Sequence, residues 1–323
     1  MSRFDARKQR ARENRQKFRR ANKHHAAWGV VCLVLLGSIF GAWGSNQALR
    51  SEVATLQQQL ETAKRPTKST CEVRGDWQPN STTTLTVDNR SLLVHTPHDF
   101  APDQYLPLVM VYPGKGGAAH VAQVDYGLDT LPAIVVYPQA TVGTDGYLSW
   151  QGAPYSSSAD DITFTSNILN ELETRLCIDR TKIYAIGMSN GGGFTALLSC
   201  ELSDRFAAYA IVAGAMYPAS DNCEPKQPTT LFNIHGDADL SVPYRGSPLR
   251  KLPDIEKWTT RRAQLNGCQN VVTRQVDFNT HSTDWTECKE GTVVKNIRIQ
   301  GGGHTWGLTS NDLIWHFLSQ FSL

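Results

Sequence analysis

The sequence predicts an α/β domain built on a mostly parallel sheet, and three observations predict it. Apolar runs of strand length alternate with helical patterns over most of the chain. Those runs are almost continuously apolar, as strands covered on both faces are. One of them passes directly into a glycine-rich turn and then a helical pattern.

Taken in order, residues 106–113 (LPLVMVYP), 133–138 (AIVVYP), 182–188 (KIYAIGM), 206–213 (FAAYAIVA) and 229–235 (TTLFNIH) read as strands, and 293–300 as a strand-like run. Between them, residues 161–176 carry Ile162, Thr165, Leu169, Leu172 and Leu176 on one stripe, the mark of a helix facing a core. Helices are also expected over 254–266 and 311–321, the latter showing Leu313, Ile314, Phe317, Leu318 and Phe321. No internal repeat or low-complexity segment interrupts the pattern. The domain is expected over 83–323, long enough for one large α/β core.

The region before it has a different character. The chain of 323 residues has a formal net charge of +2, but that value averages two unlike parts. Residues 1–25 hold ten basic and two acidic side chains, +8, and the remainder holds 22 basic against 28 acidic, −6. The acidic body excludes a general nucleic-acid binder. The basic tail is followed by the uncharged run 26–43, with Trp28 and Trp43 at or near its ends. A run of this length suits a helix spanning a ~30 Å hydrocarbon layer, with tryptophans at both interfaces. The preceding positive charge keeps the tail cytoplasmic and sends the body outside. This favours an uncleaved signal anchor, with a secreted protein after signal cleavage as the alternative.

Residues 44–82 read as a helical stalk and linker. Over 47–65, Leu49, Val53, Leu56, Leu60 and Ala63 are spaced as in a coiled-coil seam. The run is short, so a weak homodimer and a stalk without a partner are equal readings. Arg65-Pro66 ends it, and 66–82 reads as linker.

There are seven cysteines. Cys32 lies in the membrane-span candidate, and Cys71, Cys177, Cys200, Cys223, Cys268 and Cys288 lie beyond it. An even set on the exported side fits disulfides in an oxidising compartment. No C-x-x-C pair occurs, so no metal site is expected.

The chemistry concentrates in residues 183–200. A strand runs into Gly187-Met188-Ser189-Asn190-Gly191, and a helical pattern follows. This is G-x-S-x-G in its strand–turn–helix setting, the nucleophile elbow. Glycines are needed because the turn is so tight that a flanking Cβ would clash. A nucleophilic serine needs a base and an orienting acid, following in the order Ser, Asp or Glu, His. Downstream lie His235, His281, His304 and His316. His304 sits in a glycine-rich loop after the 293–300 run, where catalytic side chains are displayed. His235 reads as packed at a strand end, His316 as structural within a helix, and His281 has no clear role. Asp237 and Asp239 share the loop after 229–235, and spacing does not separate them.

These residues resemble a known group: the secreted polyhydroxybutyrate depolymerases and feruloyl and acetylxylan esterases of the α/β-hydrolase superfamily. The resemblance covers roughly 83–323. It rests on PLVMVYPGKGG (107–117), AIVVYPQ (133–139), DDITF (160–164) with CIDRTKIYAIGMSNGG (177–192), HGDADLSVPY (235–244) and GGGHTW (301–306). It implies an α/β-hydrolase fold with Ser189 as nucleophile, His304 as base and Asp239, rather than Asp237, as acid. It also implies Cys200–Cys223 and Cys268–Cys288 pairs, leaving Cys71 with Cys177.

One departure matters. The group's first loop reads His-Gly-Cys, and this chain has Pro113-Gly114-Lys115. The oxyanion donors are expected to be the amides of Asn190 and Lys115. The Lys115 side chain is read as solvated, with an anionic substrate as the other option. Trp150 and Trp306 are candidate cleft walls for a phenolic, sugar or polyester chain, with core packing as the competing reading.

The expected function is a membrane-anchored extracytoplasmic serine esterase that needs no cofactor and acts on an ester substrate, polymeric or small. A peptidase or acyltransferase on the same scaffold is an alternative separated by comparing ester and peptide turnover. An inactive polymer-binding protein is another, marked by failure to react with a fluorophosphonate.

Overall fold

The computed structural model describes residues 71–308 and 310–323. The basic tail, the 26–43 span and the 47–65 helix expected from sequence lie outside the described residues. Among the described residues no helix is long and apolar enough to cross a membrane.

Among the described residues, twelve strands and six α-helices follow one another. β1 (Ser81–Val87) and β2 (Arg90–Thr96) form a hairpin. Its turn residues Asp88 and Asn89 both take positive φ, 51° and 60°, which Asp and Asn tolerate best among non-glycine residues. β3 (Leu106–Tyr112), α1 (Ala119–Tyr126) and β4 (Ile134–Pro138) follow. Next come a small hairpin, β5 (Thr141–Val142) with β6 (Leu148–Ser149), and α2 (Asp161–Arg175). The Asp160 side chain caps α2 by accepting from the Thr163 amide at 2.9 Å. β7 (Ile178–Met188) leads straight into α3 (Ser189–Glu201). The chain continues through β8 (Ala208–Val212), α4 (Pro218–Asp221) and β9 (Thr230–Gly236). α5 (Ile255–Leu265), β10 (Asn270–Gln275), β11 (Thr280–Thr286), β12 (Val294–Ile299) and α6 (Asn311–Leu318) complete it.

Ten strands form one sheet in the order β1-β2-β4-β3-β7-β8-β9-β12-β11-β10. Strands β4 to β12 in that order are parallel, and an antiparallel pair flanks each side. The apolar runs read from sequence are the parallel centre. Their side chains divide by alternation: Leu108, Met110 and Tyr112 of β3 join a core with Phe164 and Ile168 of α2 and Trp258 of α5. Val109 and Val111 join the opposite core with Ala119 and Ala122 of α1 and Ile314 and Phe317 of α6. Two covered faces are why these strands are apolar throughout rather than alternating.

Two details differ from the sequence reading. The buried face of α2 is Phe164, Thr165, Ile168, Leu169 and Leu172, so Ile162 sits at its margin. Leu313 of α6 is 40% exposed, while Ile314, Phe317 and Leu318 carry the packing.

The domain also begins upstream of 83, because part of the expected linker packs on it. Trp77 is buried in the core, and the Arg74 amide donates to the Arg175 carbonyl at 2.8 Å. Cys71 is bonded to Cys177, 106 residues away. The other pairs are Cys200–Cys223 and Cys268–Cys288, so all three disulfides match the pairs implied by the resemblance. Such cross-links suit an oxidising, extracytoplasmic compartment.

Candidate active site

The site is built where β7 turns into α3. Ser189 takes φ 54°, a left-handed conformation that costs a serine energy and persists only under tight surrounding constraint. The constraint is visible in its neighbours. A Cβ on Gly187 would lie 2.3 Å from the Gly191 carbonyl oxygen, and one on Gly191 would lie 2.0 Å from the Tyr112 carbonyl oxygen. The backbones of β7, α3 and β3 therefore approach to a distance only glycine permits.

His304 lies on the loop after β12. Its Nδ1 is 2.7 Å from Asp239 Oδ2 and its Nε2 is 2.9 Å from Ser189 Oγ. A carboxylate can only accept, so Nδ1 carries the proton and Nε2 offers its lone pair to the serine hydroxyl. The two ends of the imidazole are thus committed to different partners. That arrangement can draw a proton from Ser189 Oγ and stabilise the resulting imidazolium.

Asp239 is buried and turned by its own loop, with Oδ1 accepting from the amides of Ser241 at 2.8 Å and Val242 at 2.7 Å. Burial pushes its carboxyl up. The hydrogen bonds from His235, His304 and the Val242 amide outweigh that and hold it well below the usual carboxylate range. Asp237 does different work: its Oδ1 accepts from the Gly301 amide at 2.7 Å and so ties down the loop that carries His304.

The remaining histidines separate clearly. His235 is fully buried, as its strand-end position suggested. Its Nε2 donates to the Val242 carbonyl at 2.9 Å and lies 3.4 Å from Asp239 Oδ2, a contact the sequence did not signal. His281 sits on β11, and His316 is on α6.

The first loop abuts Ser189. A Cβ on Gly114 would lie 3.2 Å from Ser189 Cβ. The Gly114 amide donates to the Tyr126 hydroxyl at 3.3 Å, and that hydroxyl lies 3.7 Å from Met188 Sδ. Of the expected oxyanion residues, Asn190 directly follows Ser189, and Lys115 follows Gly114 on this adjoining loop.

Trp150 is not a cleft wall. It is fully buried, stacked on Phe194 and edge-on to Tyr112. Its indole donates to the Pro113 carbonyl at 2.9 Å, and its amide donates to Asn190 Oδ1 at 2.7 Å. Core packing is correct for this residue because both of its polar groups are satisfied internally. Trp306 is partly buried, stacks on Tyr126 at 4.2 Å and donates to Asn311 Oδ1 at 3.2 Å. The Lys115 side chain is not simply solvated: it pairs with Asp145 and lies against two tyrosine rings. Among the described residues no group of three or more His, Cys, Asp or Glu could hold a metal ion.

No family model matches the chain. It is 30% identical over 254 residues to feruloyl esterase B of Piromyces equi, covering 72% of this chain and 46% of that protein. It is 24% identical over 245 residues to a bifunctional acetylxylan esterase/xylanase of Neocallimastix patriciarum, covering 72% of this chain and 34% of that protein. The chain thus spans less than half the length of these two relatives. Among solved structures, an acetyl xylan esterase from Aspergillus awamori superposes with a TM-score of 0.58 at 16% identity, covering 74% of this chain and 99% of that one. The chain is thus similar in sequence to feruloyl and acetylxylan esterases and shares the fold of the Aspergillus awamori enzyme.

Proposed function

We propose that the protein hydrolyses carboxylic esters through Ser189, His304 and Asp239. The observation that carries this reading is the continuous hydrogen-bond chain from Ser189 Oγ through both imidazole nitrogens to a buried carboxylate. Ser189 Oγ attacks the ester carbonyl while His304 Nε2 takes its proton. Asp239 holds the Nδ1–H tautomer and stabilises the imidazolium. The amides of Asn190 and Lys115 receive the oxyanion. The imidazolium then protonates the leaving alcohol, and a water molecule, activated by the same imidazole, releases the acid and frees Ser189. The names of the relatives support feruloyl or acetyl esters on a polysaccharide as the substrate class, and Trp306 beside the base offers an aromatic wall for it. The test is labelling with a fluorophosphonate. Wild-type protein should form a stable adduct on Ser189, located by peptide mass, and Ser189→Ala should form none. Wild-type protein that stays unlabelled refutes the proposal.

We further propose that residues 26–43 anchor the chain, with residues 1–25 in the cytoplasm and the hydrolase domain, starting near residue 71, on the far side. The charge step from +8 to −6 and the disulfides support this orientation. Full-length protein should stay with membranes through alkaline carbonate extraction, and a chain lacking residues 1–43 should not. Release of the full-length protein by carbonate refutes the anchor.

A further inference from the structure

The loop 113–117 has a single flexible side chain with which to be held. Pro113 fixes its start, and Gly114, Gly116 and Gly117 offer no side chain at all, leaving only Lys115. Gly116 takes φ 79°, which adds freedom rather than restraint. A donor amide in such a loop needs an external support, because electrostatic stabilisation depends on a preorganised position.

Besides the Tyr126 hydroxyl on the Gly114 amide, the support comes from residues 141–155, which contain the β5–β6 hairpin. The Gly116 amide donates to the Leu148 carbonyl at 2.8 Å. The Trp150 indole donates to the Pro113 carbonyl at 2.9 Å. Lys115 Nζ pairs with Asp145 and lies 4.9 Å from the Tyr147 ring centroid and 4.4 Å from that of Tyr155. The segment is itself closed by bonds from the Gly143 amide to the Tyr147 carbonyl at 2.7 Å and from the Thr144 amide to the Tyr155 carbonyl at 2.8 Å. A Cβ on Gly143 would lie 2.2 Å from the Tyr155 carbonyl oxygen, so this closure depends on glycine. At its end, Trp150 binds the Asn190 side chain through its amide, and so reaches the other oxyanion residue too.

We infer that the Lys115 side chain is a positioning strut: clamped by Asp145, Tyr147 and Tyr155, it fixes its own backbone amide in the oxyanion hole. The inference rests on the ester-hydrolase reading of the site. The ion pair is partly exposed, 35% and 32% at the two side chains, so its contribution to stability is small. Its effect is geometric. The charge is already answered by Asp145, which argues against a free cationic site for an anionic substrate.

The test is steady-state hydrolysis of p-nitrophenyl acetate by Lys115→Met, Asp145→Asn, their double variant and Lys115→Arg. A donor displaced by ~1 Å costs up to ~100-fold in rate, so Lys115→Met and Asp145→Asn should each lower kcat roughly 10- to 30-fold. KM should change less than about twofold, since the lost interaction belongs to the transition state. The double variant should be no worse than either single one, because both remove the same clamp. Lys115→Arg should recover part of the rate by keeping the cation. Melting temperatures measured alongside should not change, which separates the effect from unfolding. A wild-type kcat in Lys115→Met, additive losses, or a KM effect confined to anionic esters overturns the strut. Ser189→Ala, assayed in parallel, keeps the two ideas apart. If it stays active, the site reading fails. If it is dead while Lys115→Met matches wild type, only the strut fails.

Discussion

Replacing Ser189 by alanine is expected to lower kcat for p-nitrophenyl acetate by about 10⁴- to 10⁶-fold, the range seen when a nucleophile of a Ser–His–Asp triad is removed. The size follows from what the side chain does. Without Oγ no acyl-enzyme forms, and only the oxyanion donors and binding act on direct attack by water. The remaining machinery is untouched: Asp239 still fixes His304 through Nδ1 at 2.7 Å. Alanine also keeps the same backbone demand as serine at φ 54°, so the elbow should hold its shape. His304→Ala should cost a similar factor, and Ser189→Ala/His304→Ala together should cost hardly more than one alone, since the two act as a unit. A residual rate above about one-hundredth of wild type in a folded Ser189→Ala protein contradicts the assignment.

How much of this was readable from sequence depends on how local the signal is. The elbow was legible because its requirements are local: a buried strand, glycines at fixed positions and a helix. The parallel centre was legible because burial on both faces leaves continuous apolar runs. The flanking hairpins were not. β1 is rich in threonine and β10 is fully exposed, so neither carries an apolar period, and the Asp88-Asn89 turn was the one available clue. α1 hid because Val121 and Val124 face solvent while Ala119, Ala122 and Tyr126 pack inward, which reverses the usual stripe. Trp150 shows the limit of reading a tryptophan near a motif as a wall. Its role comes from bonds to Pro113 and Asn190, residues 37 and 40 positions away. His235 is similar: its strand-end position indicated packing, but its contact with Asp239 arises from how the loop 237–242 folds back.

Asp239→Asn is expected to lower kcat by about 10⁴-fold, and it distinguishes the two aspartates that spacing left open. The asparagine oxygen can still accept from the Ser241 and Val242 amides. That orientation turns its NH₂ group toward His304, whose Nδ1 must then become the acceptor. The proton moves to Nε2, which can no longer take one from Ser189. Asp237→Asn should instead retain most activity, because an amide oxygen can still receive the Gly301 amide. A second measurement follows from charge. The Asp239 carboxyl is held below its usual range in the folded protein, while in the unfolded chain it returns to about 3.9. The folded state therefore binds that proton less readily, and the carboxylate adds stability that is fully present above the unfolded value. That stability is lost as pH falls below about 4 toward the lower folded value. The Asp239→Asn protein has no such proton to bind. Urea denaturation should therefore show a stability gap between wild type and variant that narrows as pH falls below about 4. A gap that fails to narrow below about pH 4, or full activity in Asp239→Asn, rules out Asp239 as the buried ionised partner of His304.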